Sequence, residues 1–196
     1  MSPVLSLEEG RLAVAAAREA ITAYTQSRQP RFEFPPSFQR KSGAFVTLHT
    51  YPQNQLRGCI GFPEPIFPLG EAILRAGTAA CEDPRFPPLQ SSELDRVVVE
   101  VTVLTPPELI TATTPEEIKG SIVIGRDGLI IEKGYYRGLL LPQVPVEWGW
   151  DVDEYLVNLC YKAGLPPDAW KQARIYRFQG EIFSETEPYG EVVRRD

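Results

Sequence analysis

The chain has 196 residues, 43% of them hydrophobic and 23% charged, a balance that is typical of a globular protein with an apolar core of its own. Its formal net charge of −6 argues against the basic face with which proteins bind nucleic acids or anionic membranes. The sequence shows no secretory leader pattern and no apolar run near the ~18 residues of a membrane span. We therefore expect a cytoplasmic protein that binds neither nucleic acid nor membrane.

The cysteines predict free thiols. Cys59, Cys81 and Cys160 are widely spaced, and in a reducing cytosol an odd set without a C-x-x-C pair is expected to stay unpaired. His49 is the only histidine, which disfavours a zinc site built from Cys and His. No phosphate-binding or dinucleotide-binding glycine pattern occurs, so we predict no cofactor.

The first half of the chain predicts two helices around a hairpin. Ser6 and Glu9 match the capping box that starts a helix, and small apolar residues follow at helical spacing. A proline-rich connection over residues 30–42 carries three phenylalanines, which we expect to pin it to the body of the protein. The predicted elements are a helix over residues 6–26, hairpin strands over 45–49 and 55–62, and a helix over 68–81.

The second half predicts mainly strands. The valine-rich run 97–104 is typical of a central strand. Residues 186–196, which include Arg194 and Arg195, are expected to form a solvated polar tail. The predicted elements are strands over 97–104, 122–124, 128–133, 138–141 and 174–180, a helical turn over 115–118, and a helix over 152–163. Because this order lacks βαβ alternation, it predicts an α+β fold with a largely antiparallel sheet and flanking helices.

Residues 56–62, which read LRGCIGF, combine a cation, a thiol and two glycines in one apolar run. Successive side chains of a strand point to opposite faces. The predicted core face consists of Leu56, Ile60 and Phe62. Arg57 and Cys59 are then expected to share the other face, where the guanidinium would favour the thiolate form of the cysteine.

Gly58 and Gly61 flank this thiol on either side. They remove side-chain bulk, which would let a ligand or another backbone come close. The alternative is structural, because a free cysteine usually packs as a small hydrophobe and a glycine in a strand often marks a bulge. Both interpretations stay open on the residues alone.

A nucleophilic cysteine needs a base. His49 is a weak candidate, because it lies near the predicted hairpin turn and is typical of a surface or turn residue there. Glu100 interrupts the valine-rich strand, where a carboxylate needs a partner or a pocket. We expect it either to pair with Arg57 or to act as the base. A hard cation held by Glu100, Asp83 and Asp127 is a further possibility that the sequence leaves open.

A second stretch, residues 83–89 (DPRFPPL), forms a proline-rigid loop directly after the predicted second helix. Rigid loops often present binding groups. Asp83 and Arg85 are therefore candidate ligand-binding residues. Equally, Asp83 could cap local amides and Arg85 could hold the loop down.

In a third stretch, residues 138–151, an apolar strand runs into a proline-braced loop. Gln143 and Trp148 are its candidate ligand-binding residues. Trp148 and Trp150 could line a groove for a peptide or a planar ligand. The alternative is that the two tryptophans lock the following helix onto the sheet, an interpretation that suits Trp150 in particular.

These three stretches resemble the AMMECR1 family, and the LRGCIGF match is highly specific. The resemblance covers roughly residues 8–185. It implies a single compact α+β domain of two unequal lobes, with the chain passing between them. Prokaryotic relatives occur alongside or fused to MEMO-like and radical-SAM-like proteins, which implies a shared pathway or complex.

Two kinds of function follow from these patterns. In the first, the protein is a cysteine-dependent enzyme or binds a small anionic substrate, with Cys59, Arg57 and Glu100 at the centre. In the second, it is a non-enzymatic binding or scaffold protein whose loops rich in Phe, Pro and Trp hold a protein partner. The sequence leaves this choice and the oligomeric state open.

Overall fold

The structure, a computed structural model, describes residues 4–195. Its helices are α1 (Leu7–Thr25), α2 (Leu69–Ala80), α3 (Pro115–Gly120), α4 (Gln143–Trp148) and α5 (Val152–Lys162). Its strands are β1 (Ala44–Thr50), β2 (Leu56–Phe62), β3 (Val97–Leu104), β4 (Glu108–Leu109), β5 (Gly128–Lys133), β6 (Tyr136–Leu140), β7 (Arg174–Phe178), β8 (Gly180–Glu185) and β9 (Val192–Arg195). Short 3-10 helices cover Pro36–Gln39, Ser91–Arg96 and Ala169–Gln172. The predicted α+β class is confirmed.

The contacts divide the chain into two units, one reaching to Leu104 and resuming at Glu181, the other spanning Thr105–Gly180. The first unit holds a five-stranded sheet in the order β2-β1-β3-β8-β9, and the second a four-stranded sheet in the order β4-β7-β5-β6. Strand β1 pairs antiparallel with β2 and β3, and β5 pairs antiparallel with β6 and β7. The strand predicted over residues 174–180 is confirmed as β7 over residues 174–178, but its predicted end is wrong, because Gly180 begins β8 in the other sheet.

In the first unit, α1 and α2 cover one face of the sheet. Helix α1 starts with the predicted capping box, in which the Glu9 amide donates to Ser6 Oγ and the Ser6 amide to Glu9 Oε2. Alanines and Gly77 at the α1–α2 contact let the two helices approach closely, since a Cβ on Gly77 would lie 2.8 Å from that of Ala20. The buried residues of β1 and β3 that complete this core are Ala44, Val46, Leu48, Val97, Val99, Val101 and Val103.

The proline-rich connection between α1 and β1 is pinned as predicted. The Phe34 ring is tilted by 48° against that of Phe32 and stacked on that of Phe38, with centroids 4.9 and 5.2 Å away. Phe38 is fully buried, and the Phe34 ring fills the space that a side chain at Gly70 of α2 would need. The aromatic residues thus attach this segment to the core.

A buried ion pair joins α1 to β8. The Arg18 guanidinium binds both carboxylate oxygens of Glu185, and it also donates to the carbonyls of Leu94 and Val97 at 2.8 Å each. The amide of Val99 donates to the same carboxylate at 2.9 Å. Two buried charges are tolerated here because nearly every polar atom of the pair has a partner.

The C-terminal residues contradict the expected solvated tail. Residues 192–195 form β9, which pairs antiparallel with β8. Arg194 donates to the Leu5 carbonyl and lies over the ring of Phe183, 4.8 Å from its centroid. The two arginines are polar, but strand pairing and these contacts hold them on the sheet.

In the second unit, α5 packs on the sheet around the buried Tyr155 and Leu159. The predicted strand over residues 122–124 is wrong. The Asp127 carboxylate accepts a hydrogen bond from the Val123 amide at 2.9 Å, and the Asp127 amide donates to the Val123 carbonyl. Both peptide groups of Val123 are therefore bonded within a local turn and do not pair with a strand.

Helix α4 was not predicted, because its prolines suggested a loop. Pro142 precedes its first residue and Pro145 lies within its first turn, where a backbone N–H has no partner inside the helix. The helix ends at Gly149, whose φ of +66° is left-handed. Among residues 4–195, no helix has the combined length and apolar character needed to cross a bilayer.

We expect Arg18→Gln to lower the free energy of unfolding by about 3–5 kcal/mol, because it leaves the Glu185 carboxylate buried without its cation. Arg11→Gln on the same helix is the matched control. Arg11 and its partner Glu191 lie 3.9 Å apart with both side chains more than half exposed, so the loss should stay below about 1 kcal/mol. Urea denaturation measures the free energy of unfolding of both variants. An equal loss of stability in the two would contradict the structural role of the buried pair.

Candidate functional site

Strand β2 lies at the edge of its sheet and contains a β-bulge at Arg57. Leu48 of β1 lies opposite Gly58, whereas His49 lies opposite Leu56, so Arg57 is an extra residue on β2. Side chains directly opposite each other point to the same face. Leu56 therefore leaves the predicted core face and is 38% exposed, whereas Ile60 and Phe62 pack against the core. The predicted position of Leu56 is wrong because the bulge shifts the alternation.

Cys59 points to the face of the sheet away from α1 and α2. Its register partner on β1 is Thr47, and the partner of Thr47 on β3 is Glu100. The three residues form a row across three neighbouring strands. The Thr47 hydroxyl donates to Cys59 Sγ at 3.2 Å. The row places a thiol, a hydroxyl and a carboxylate side by side.

Arg57 does not act on the thiol as predicted. Its guanidinium binds Glu93 through both carboxylate oxygens, at 2.8 and 3.1 Å, and donates to the Pro87 carbonyl at 2.9 Å. It also lies 6.0 Å from the ring centroid of Phe86. Arg57 thus holds the loop after α2 against β2, and the charged groups that act on Cys59 are other residues.

A buried carboxylate, Asp83, holds the peptide of Cys59. Asp83 Oδ2 accepts the Cys59 amide at 2.9 Å, and Oδ1 accepts the Arg85 amide at 3.0 Å. The Arg85 guanidinium grips both carboxylate oxygens, at 3.0 and 2.7 Å, and reaches the Cys59 carbonyl at 3.4 Å. The Asp83 side chain is 1% exposed and that of Arg85 56%. The residues 56–62 and 83–89 are therefore one structural assembly.

The space beside the two glycines is occupied by the protein itself. A Cβ on Gly58 would lie 2.4 Å from the Ala80 carbonyl oxygen. A Cβ on Gly61 would lie 2.4 Å from the Ala44 carbonyl oxygen and 2.4 Å from the Phe45 ring. Both positions require glycine because the protein packs closely against them. This supports the interpretation that the two glycines serve packing and not ligand access.

Burial raises the pKa of the Cys59 thiol above its ordinary value. The hydrogen bond from Thr47 and the positive charge of Arg85 oppose this rise, and the negative charges of Asp83 and Glu100 add to it. The prediction that Arg57 stabilises a thiolate at Cys59 is therefore wrong. Cys59 is a protonated thiol at neutral pH, and it is only partly buried.

Glu100 is a largely buried carboxylate whose pKa is raised by burial, against the charges of His49 and Arg195. The expected Arg57 partner is replaced by Arg195 of β9, whose Nε lies 4.0 Å from Glu100 Oε2. His49 belongs to β1 rather than to the turn. It lies on the same face as Thr47, and its charge acts on Glu100.

The remaining predicted residues, Gln143 and Trp148, lie on α4 in the second unit, where both are exposed. Trp150 packs against the core that contains α5, as its structural interpretation expected. Asp127 uses its carboxylate on Arg126, Gln179 and the Val123 amide. Within the described part of the chain, no three His, Cys, Asp or Glu side chains are arranged to hold a metal ion.

Sequence reasoning missed Thr47 and Arg195 as neighbours of the predicted residues. Thr47 carried a weak signal, since it is the polar residue at the centre of an apolar strand. Arg195 carried none, because only the pairing of β9 brings it to Glu100. The row of Cys59, Thr47 and Glu100, called the thiol row below, therefore depends on the register of the strands, which residue types do not specify.

Gly58→Ala should lower the free energy of unfolding by about 1–3 kcal/mol, because the new methyl meets a backbone carbonyl that cannot move freely. Gly120→Ala is the control, since nothing lies within 4 Å of its Cβ position. Urea denaturation should find the control neutral or slightly more stable. An equally tolerated Gly58→Ala would contradict the close packing of β2 on α2.

Asp83→Asn should remove a pH-dependent part of the stability. The bonds from Arg85 and the Cys59 amide hold the pKa of Asp83 well below its ordinary value of 3.8. The charged carboxylate therefore stabilises the fold above about pH 4, and this contribution disappears as the pH falls toward the lower folded-state pKa. We expect a gap between wild type and variant of about 1–3 kcal/mol at pH 7. Urea denaturation across pH should show this gap narrowing below pH 4, and a constant gap would contradict it.

Comparisons with known proteins place the chain in a family. A family model described as AMMECR1 matches residues 14–183. Protein MJ0810 of Methanocaldococcus jannaschii is 58% identical over 196 residues, which cover 98% of each chain. Protein PH0010 of Pyrococcus horikoshii is 53% identical over 197 residues, covering 96% of this chain and 95% of the other. The crystal structure of the uncharacterized protein PH0010 matches with a TM-score of 0.77 at 51% identity, over 98% of this chain and 99% of that one. The chain belongs to the AMMECR1 family.

Proposed function

We propose that this protein performs thiol chemistry at Cys59, with Sγ as the nucleophile and Glu100 as the acceptor of its proton. The observation that supports this most is the row of Cys59, Thr47 and Glu100 on the sheet face opposite the helices. The neighbouring glycines and Arg57 have packing and ion-pair roles. The partly exposed thiol is the residue of the LRGCIGF stretch that these roles leave unexplained.

The raised pKa of Cys59 makes a base necessary. A protonated thiol is a poor nucleophile, so attack on a substrate requires removal of the proton. Burial raises the pKa of Glu100 as well, which makes its carboxylate a stronger base than an exposed glutamate. The resting site would thus hold a protonated thiol that is activated only during reaction.

The proton path runs through Thr47. Two strand spacings of about 4.8 Å separate the Cα atoms of Cys59 and Glu100 by roughly 10 Å, so the two side chains require an intermediate. Thr47 is the register neighbour of both residues, and its hydroxyl donates to Cys59 Sγ in the structure. Because a hydroxyl can rotate and can both donate and accept, in the proposed reaction it turns to accept the thiol proton and to donate toward Glu100. Sulfur then bonds to an electrophilic carbon of a small substrate as the bond from that carbon to its leaving group breaks, which leaves the substrate group covalently on Cys59. The thiol proton passes to Thr47, and the Thr47 proton passes to Glu100. The leaving group takes the proton back from Glu100.

An anion site centred on Arg57 has less support. Its guanidinium is bound to Glu93 and to a carbonyl, and an incoming anion would have to displace a bidentate carboxylate. Arg85 is the cation that acts on the thiol. The thiol row therefore accounts for more of the geometry than an anion site does.

Acetylation by p-nitrophenyl acetate at pH 7 tests the role of Glu100, with nitrophenolate release as the readout. If Glu100 acts only through its charge, Glu100→Gln lowers the pKa of the thiol and speeds the reaction. If it is the base, the same variant slows the reaction, by about 100-fold for full general-base catalysis. We expect slowing, and Thr47→Val, which keeps the shape but removes the hydroxyl, should slow it as well.

Two controls define the outcome. Cys59→Ser should abolish the reaction above background, because Cys81 and Cys160 are buried. Glu33→Gln removes an exposed carboxylate and should leave the rate unchanged. A faster Glu100→Gln variant would contradict its assignment as the base, and an unchanged rate in Cys59→Ser would contradict the thiol function altogether.

A further inference from the structure

Helix α4 leaves two large apolar side chains open to solvent. Trp148 is 71% exposed and Val146 is 59% exposed. Exposed tryptophan is unusual on a surface that contacts only water, and tryptophan is enriched among the residues that dominate protein interfaces. By contrast, Trp170 of the same unit is buried.

The Trp148 ring is held in a defined position. It stacks on Trp150, with ring centroids 6.1 Å apart and an interplanar angle of 17°. Trp150 packs against the core of the second unit. The left-handed Gly149 between them turns the chain sharply at the end of α4. A rigid ring loses little entropy when a partner covers it.

The segment that carries this ring is rich in carboxylates. The segment 147–154 reads EWGWDVDE and contains four carboxylates. Lys119 pairs with Asp153. Asp151 and Glu154 accept each other's backbone amides at the start of α5. Within residues 4–195, neither of these two nor Glu147 forms an ion pair, so the surface keeps an excess of negative charge.

We infer that this surface binds a basic segment of a partner protein. An Arg or Lys side chain of the segment lies on the face of Trp148, where the ring attracts a cation. Neighbouring basic residues meet the carboxylates of Glu147, Asp151 and Glu154, and an apolar residue covers Val146. A second copy of this chain fits less well, because its net charge is also −6. This binding is independent of the chemistry at Cys59.

Fluorescence anisotropy of the full-length protein tests the inference. The probe is a fluorescein-labelled 12-residue peptide of repeated Arg-Leu-Gly, and the matched control peptide carries Glu at each Arg position. We expect the basic peptide to bind, and to bind more weakly as salt is raised from 50 to 300 mM, because exposed charges are screened. Trp148→Ala should weaken binding about tenfold, and Trp148→Lys, which places a like charge at the same point, should abolish it.

Tyr135→Ala is the matched control variant, because Tyr135 is a fully exposed aromatic residue of the same unit and should not affect binding. Trp148 is exposed, so its variants should keep the wild-type melting temperature. Equal binding of the basic peptide by wild type, Trp148→Ala and Trp148→Lys would overturn the inference. Equal binding of the Glu peptide would overturn it as well. Self-association of the wild type that Trp148→Ala abolishes would assign the surface to a second copy instead.

Discussion

The hydrogen bonds and the ion pair of the buried Asp83 carboxylate hold the candidate site of the first unit in place. Strand β2 lies at an edge, where open peptide groups would otherwise pair with another chain. Asp83 and Arg85 bind the amide and the carbonyl of Cys59 and so close the edge at the thiol. Arg57 holds the same loop from the other side through Glu93. Two separate stretches of sequence thereby fix the position of one side chain.

This arrangement changes the meaning of the LRGCIGF stretch. Gly58 and Gly61 admit a carbonyl and an aromatic ring of the protein, and Arg57 serves the loop. Packing thus accounts for most of the stretch, and Cys59 is the residue on which the proposed chemistry with Thr47 and Glu100 rests. The charges that set the properties of the thiol come from residues far away in sequence, Asp83, Arg85 and Glu100.

Much of the fold was predictable because its signals are local. The capping box at Ser6, the helical spacing in α1 and the valine-rich β3 each act over a few residues, and the structure confirms them. The prediction failed where long-range pairing decides. The tail at Arg194 is polar but becomes a strand because β8 offers an edge. The prolines around α4 suggested a loop because proline both starts helices and breaks them.

The α+β class, the main helices and strands, the free thiols and the stretches that hold the candidate residues could all be predicted from the sequence. Those properties follow from residue type and short-range spacing. The division into two sheets, the bulge at Arg57 and the partners of Cys59 and Glu100 became visible only in the folded chain. A single bulge reverses which side chains share a face, and an ion pair such as Arg195 with Glu100 joins residues almost a hundred positions apart. Neither follows from residue type, because register is set by the packing of the whole sheet.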